Sequence, residues 1–146
     1  MPTLKDDVAF GTKSEENIIV DLQDLFKTTF ERQGGFSIMD YHNPTKTVYV
    51  ELKTRRLRHD QYDTTIVGKN KVDFCRDPNK DYYFVFSFLD GIYYIKYSSS
   101  VFSKFQVNNN YFRGERDDCK NVRQTVVYIP YTALTKYERP QLISAI

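Results

Sequence analysis

The sequence predicts an α/β fold, a mixed β-sheet flanked by helices. Three observations lead there. Apolar residues recur at helical spacing across residues 14–32, Lys46–Thr54 alternates as a strand does, and Tyr82–Phe88 is an almost unbroken apolar and aromatic run. The first pattern belongs to a helix packed on one face, and the second to a half-buried strand. The third belongs to a central strand covered on both faces.

The elements follow in chain order. Ile18, Ile19, Leu22, Leu25, Phe26 and Phe30 share one helical face. Ser14 suits the N-cap, Glu15 and Glu16 suit the positive helix end, and Gly34-Gly35 supplies the stop. Phe36–Asp40 reads as a short strand, and His42-Asn-Pro-Thr-Lys46 as a turn. In Lys46–Thr54, Val48, Val50 and Leu52 fall on one face, and Tyr49, Glu51 and Lys53 on the other. Residues 36–54 therefore form a β-hairpin.

Residues 55–64 are polar and basic, and read as a loop. Thr65–Arg76 carries a weaker helical pattern, closed by Asp77-Pro78-Asn79. Tyr82–Phe88 returns through Asp90-Gly91 into a second strand at Ile92–Tyr97. Residues 104–124 are polar and read as a long loop, Thr125–Ile129 as a last strand, and Thr132–Tyr137 as a short helix.

Composition bounds the function. The chain has 146 residues, 40% of them hydrophobic and 16% aromatic, which excludes disorder over its whole length. Lys and Arg total 21 against 19 Asp and Glu, a net charge of +2. So weak a global field leaves any nucleic-acid contact to local clusters of charge. The two cysteines, Cys75 and Cys119, make no disulfide framework and are expected as free thiols. No apolar stretch reaches membrane-spanning length, and the N-terminal residues lack a secretory pattern, so an intracellular protein with no membrane partner is expected. No Gly-rich phosphate loop, nucleophile elbow or zinc-ligand spacing occurs, so no nucleotide cofactor is expected. His59-Asp60 reads as surface.

Chemistry concentrates in Asp40 and in Glu51-Leu52-Lys53. Glu51 and Lys53 leave the same strand face, and a hairpin brings Asp40 beside them. Two adjacent carboxylates repel unless a cation lies between them, and hard oxygen ligands suit Mg²⁺. Glu15 shares the inward helix face, where a carboxylate needs a partner. Downstream, Arg55, Arg56, Arg58, Lys69 and Lys71 surround this centre with positive charge suited to phosphate contacts.

The arrangement Glu15 … Asp40 … Glu51-Leu52-Lys53 resembles the PD-(D/E)XK nuclease superfamily, which includes type II restriction enzymes and archaeal Holliday-junction resolvases. The proline that precedes the aspartate in the family's pattern is Met39 here. The resemblance covers roughly residues 12–97 and implies a restriction-endonuclease-like mixed sheet flanked by helices, in one domain over 1–146 with a C-terminal extension. It implies Asp40 and Glu51 as Mg²⁺ ligands, with Mn²⁺ as a substitute, Glu15 (alternatively Glu16) completing the site, and Lys53 supporting the nucleophilic water. A basic residue on the second helix near the site is also implied, with Lys71 ahead of Lys69. The expected activity is that of a metal-dependent deoxyribonuclease, an endonuclease cutting phosphodiester bonds of DNA, in a chain able to form a homodimer. Compact nucleases of this type occur in viruses, phages and mobile elements. The alternative is a non-catalytic nucleic-acid-binding or assembly protein on the same fold.

Overall fold

The computed structural model describes residues 18–32, 39–112 and 123–138. A first helix, α1, is described over 18–26. It is followed by strands β1 (Glu31–Arg32), β2 (Tyr41–His42), β3 (Val48–Thr54) and β4 (Thr64–Gly68), then by helix α2 (Lys69–Asp73). Next come β5 (Asp81–Phe88), β6 (Gly91–Lys96), helix α3 (Ser99–Phe102), β7 (Val107–Phe112), β8 (Arg123–Pro130), a 3₁₀ turn (Tyr131–Ala133) and β9 (Thr135–Lys136).

Six strands form a mixed sheet in the order β1-β2-β3-β5-β6-β9. β1, β2 and β3 are antiparallel neighbours, β3 and β5 are parallel, and β5 and β6 are antiparallel. The parallel step needs a crossover, which β4 and α2 supply. A second, antiparallel sheet has the order β4-β8-β7.

The alternation of β3 sorts its residues as the sequence implies. Val50 and Leu52 pack with Tyr41, Val85 and the α1 residues Ile18 and Leu22. Tyr49 faces the other way, into a larger core built from Phe84, Phe86 and Phe88 of β5 and from Val67, Val127 and Ile129 of the second sheet. β5 is thus buried from both sides, as its unbroken apolar run predicts. Asn43 fixes the β2–β3 turn: its Oδ1 accepts from the N–H groups of Thr47 (2.8 Å) and Val48 (3.0 Å). The β5–β6 turn closes with Phe88 opposite Gly91, whose φ of 140° lies where side chains are strained.

Four expectations are corrected. α1 ends at residue 26, well before Gly34-Gly35, which lie outside the described residues, as does Phe36–Ile38. Lys27 takes the left-handed position (φ 55°), and Thr28 N–H bonds back to Gln23 O at 3.3 Å, a Schellman-type stop made without glycine. Thr65–Arg76 is a strand followed by one helical turn. The β-branched run Thr64-Thr65-Ile66-Val67 pairs with β8, a partner about sixty residues distant. Part of the expected 104–124 loop is β7, whose polar Asn108–Asn110 run is accommodated by a register shift. The expected helix at Thr132–Tyr137 is a 3₁₀ turn and the short edge strand β9. One sheet face is therefore covered by a helix. The other is covered by the second sheet, together with the short helices α2 and α3. Among the described residues, no helix is long and apolar enough to cross a membrane.

Candidate functional site

β2 and β3 set the geometry. The pairs His42–Tyr49 and Tyr41–Val50 bring the next residue, Asp40, alongside Glu51. Asp40 bends away from the ladder, and its Oδ2 accepts the Leu52 N–H at 2.9 Å. This bond holds one carboxylate against the strand that carries the other. Glu51 itself is only 1% exposed. Its partner in register, Phe84 of β5, and the flanking Val50 and Leu52 are buried as well.

Two lysines reach Glu51. Lys53 Nζ lies 3.2 Å from Oε1, and Lys71 Nζ, on α2, lies 3.5 Å from Oε2. Even so, Oε2 is fully buried and accepts no hydrogen bond from any described residue. Burial pushes the Glu51 carboxyl above its ordinary value, and the charge of Asp40 adds to this, while Lys53 and Lys71 pull the other way. A cleft of about 180 Å³ opens beside the centre, lined by Lys53, Arg55, Asn70, Lys71 and Gln124 among others.

The basic residues separate. Lys71 joins the Glu51 centre. Lys69 points its ammonium at Asp73 (2.8 Å), and Arg58 pairs with Asp60 and Asp90 (3.6 Å each). Arg55 continues the β3 ladder, its N–H bonding Ser87 O at 2.8 Å, and its Nη2 lies 3.4 Å from Ile66 O. Arg56 is exposed. Glu15 and its alternative Glu16 lie outside the described residues, as does Cys119, whereas Cys75 is a buried free thiol.

Of His59-Asp60, expected as surface, Asp60 is exposed and His59 only partly so. His59, Asp60 and Asp90 each place a ligand atom within 4.8 Å of the others, a cluster that could hold a divalent ion such as Mg²⁺ or Mn²⁺. His59 is half-buried, its ring stacked on Tyr93 (centroids 4.1 Å) and edge-on to Tyr131. Its Nδ1 lies 2.5 Å from Asp90 Oδ2, and its N–H bonds Asp90 Oδ1 at 2.9 Å. Asp90 is 31 residues further on, in the β5–β6 turn, so only the folded hairpin reveals the pair. Two ligands of one magnesium-sized ion sit roughly 3 Å apart when its bonds are about 2.1 Å. The His59–Asp90 contact is shorter, the spacing of a hydrogen bond between the two side chains.

The structure thus holds a mixed α/β sheet with groups able to bind a metal, a generic nuclease-like architecture. The chain matches no family model and no curated protein sequence.

Proposed function

We propose that this protein is a metal-dependent deoxyribonuclease with the PD-(D/E)XK arrangement of residues, its centre built from Asp40, Glu51, Lys53 and Lys71. The observation that carries the reading is the Oε2 of Glu51, a carboxyl oxygen held out of water that accepts no hydrogen bond and whose nearest cation, Lys71 Nζ, stands 3.5 Å away. Lys71 offsets part of the cost of burying this oxygen at ion-pair distance without a hydrogen bond, and a divalent ion would offset more of it. The donor set of adjacent carboxylates suits a hard divalent ion, so the residues fit Mg²⁺, with Mn²⁺ as substitute. Asp40 and Glu51 would hold it, with Glu15 as a further ligand.

Held by Asp40 and Glu51, such an ion would supply polarisation of a phosphodiester and acidification of a water. The chain's own groups do the rest. Lys53 and Lys71 flank Glu51 and place two positive charges where phosphoryl oxygens gain negative charge. The Leu52 N–H fixes Asp40, so this ligand needs no reorganisation. Arg55 at the cleft wall, with Arg56 nearby, offers contacts to the nucleic-acid backbone. The order α1, β1-β2-β3 antiparallel, crossover, then β5 parallel to β3 supports the same family. A homodimer would bring two such centres to the two strands of a duplex.

One observation favours the alternative of a non-catalytic nucleic-acid-binding protein. Both Glu51 oxygens already lie within 4.0 Å of a lysine, which partly neutralises the carboxylate without a metal. The test is cleavage of fluorescent duplex, single-stranded, flap and four-way DNA in Mg²⁺, Mn²⁺ and EDTA, with Lys53→Ala in parallel. Cleavage that needs the metal and is lost in K53A, with the fold retained, supports the nuclease. DNA binding without cleavage in any condition supports the alternative.

A further inference from the structure

The cleft beside Glu51 does not end at Arg55. That side chain and Ile66 also line a second, larger cavity of about 550 Å³. Its other walls include the rings of Tyr62, Phe88, Tyr111 and Tyr128. The volume falls within the roughly 300–1,000 Å³ of small-ligand pockets. Tyr128 is held in place, its hydroxyl accepting from Asn108 Nδ2 at 3.0 Å. Tyr62 is the opposite case: it stands at the wall 62% exposed, an aromatic ring left largely unpacked.

Deepening the nuclease reading above, and resting on it for the placement of the phosphate, we propose that this pocket takes one unstacked base of a single DNA strand. Aromatic faces stack on any base, whatever its identity. Lys53 and Arg55 leave the same strand face about 7 Å apart. A strand whose phosphate lies at the Lys53–Lys71 cleft therefore reaches the aromatic cavity one step further on, past the guanidinium shared by both. A base inside intact duplex is stacked and paired, so entry favours single strands, flaps and branch points. The substrate class is thus DNA with an unpaired nucleotide next to the cut.

The test is fluorescence-anisotropy binding in EDTA, with E51Q as the inert background. The probes are a single-stranded DNA oligonucleotide, the same sequence as duplex, an abasic oligonucleotide of equal length, and the RNA counterpart. E51Q/Y62A is expected to bind the single strand about tenfold more weakly. Duplex and abasic affinities should stay unchanged, and E51Q/Y62F should restore binding. Equal losses on all probes, or no loss on the single strand, overturn the proposal. A Tyr62-dependent preference for RNA over DNA replaces the assigned strand. Y111A serves as a second probe of the same cavity, with each variant's melting temperature confirming its fold. Cleavage assayed separately distinguishes the failures. Cutting without Tyr62-dependent binding sinks only the pocket, and Tyr62-dependent binding without cutting sinks only the nuclease.

Discussion

Two acidic groupings lie on the same fold, and they solve the problem of a carboxylate in opposite ways. Asp90 is satisfied from within the protein. It receives the ring and the N–H of His59, with Arg58 close by. Glu51 is more deeply buried, stands beside the like charge of Asp40, and keeps one oxygen without a hydrogen bond. By proximity of ligand atoms alone, His59–Asp60–Asp90 is the better metal cluster. The greater unmet hydrogen-bonding demand lies at the Glu51 centre. An unsatisfied buried oxygen and a crowd of ligand atoms are thus separate signals, and here they fall on different residues. A crowded group that has already hydrogen-bonded to itself has less to gain from an ion.

Exchanging one acid in each grouping gives the largest separation. Glu51→Gln should reduce metal-dependent cleavage to background, and Lys53→Ala should cost about 10²–10³-fold. Asp90→Asn should leave the cleavage rate within a few-fold of wild type. Cleavage kinetics at saturating Mg²⁺ read all three. Loss of cleavage in D90N with retention in E51Q would invert the comparison.

Stability should move in the other direction. D90N strips a charge-assisted partner from His59 and should cost about 1–3 kcal/mol in urea unfolding. E51Q keeps the shape and removes a carboxyl whose ionisation burial and Asp40 disfavour despite the two lysines, so in EDTA it should be no less stable than wild type at neutral pH. An E51Q loss larger than that of D90N would mean that Lys53 and Lys71 fully satisfy Glu51 by themselves.

The pH dependence sharpens this point. Burial alone would raise the Asp90 carboxyl, but the hydrogen bonds from the His59 ring and N–H hold it below its ordinary 3.8. Its contribution to stability is present above that value and lost as the pH falls through the folded one. The advantage of wild type over D90N should therefore shrink below pH 3.8. Glu51 has its carboxyl raised, by burial first and Asp40 second, above an ordinary 4.5. Its cost is absent below that value and grows as the pH rises past it. In EDTA the stability of E51Q relative to wild type should accordingly climb with pH from 4.5 upward. Denaturant midpoints from pH 3 to 8 check both slopes, and parallel slopes would erase the contrast.

The smallest effect concerns Cys75, which lies near the Glu51 centre. Burial, with Asp73 and Glu51 adding to it, pushes its thiol from 9.0 up to about 12. That difference lowers its thiolate fraction about a thousandfold, so iodoacetamide at pH 8 should label Cys75 only on unfolding. Peptide mapping by mass spectrometry distinguishes it from Cys119. Ready labelling of Cys75 in the folded protein would show that the space behind α2 is open to solvent.

Local pattern made some of this legible and distance hid the rest. The β3 alternation separates Val50 and Leu52 from Tyr49 in the structure as it does in the sequence, and the β5 run is central. Asp40, Glu51 and Lys53 are candidates from the strand alternation and the hairpin, and Lys71 through the family resemblance; the structure brings Lys53 and Lys71 to Glu51 and bonds Asp40 to the Leu52 N–H. β4 was masked because its partner β8 comes about sixty residues later, and a β-branched run beside Gly68 carries helix-like spacing when read alone. The end of α1 was hidden because lysine takes the left-handed position that glycine usually fills. His59–Asp90 escaped because the pair joins a loop to a hairpin turn. Lys69 and Lys71 lie two residues apart on nearly opposite sides of α2, and the side that meets Glu51 depends on where the helix starts, which no capping side chain announces.

The most direct measurement is Mn²⁺ binding by isothermal titration calorimetry to wild type, E51Q, D40N and D90N. Wild type and D90N should bind the ion alike, while E51Q and D40N lose at least about tenfold in affinity. Binding that survives in E51Q and D40N but disappears in D90N would place the metal at His59–Asp60–Asp90 and contradict the account.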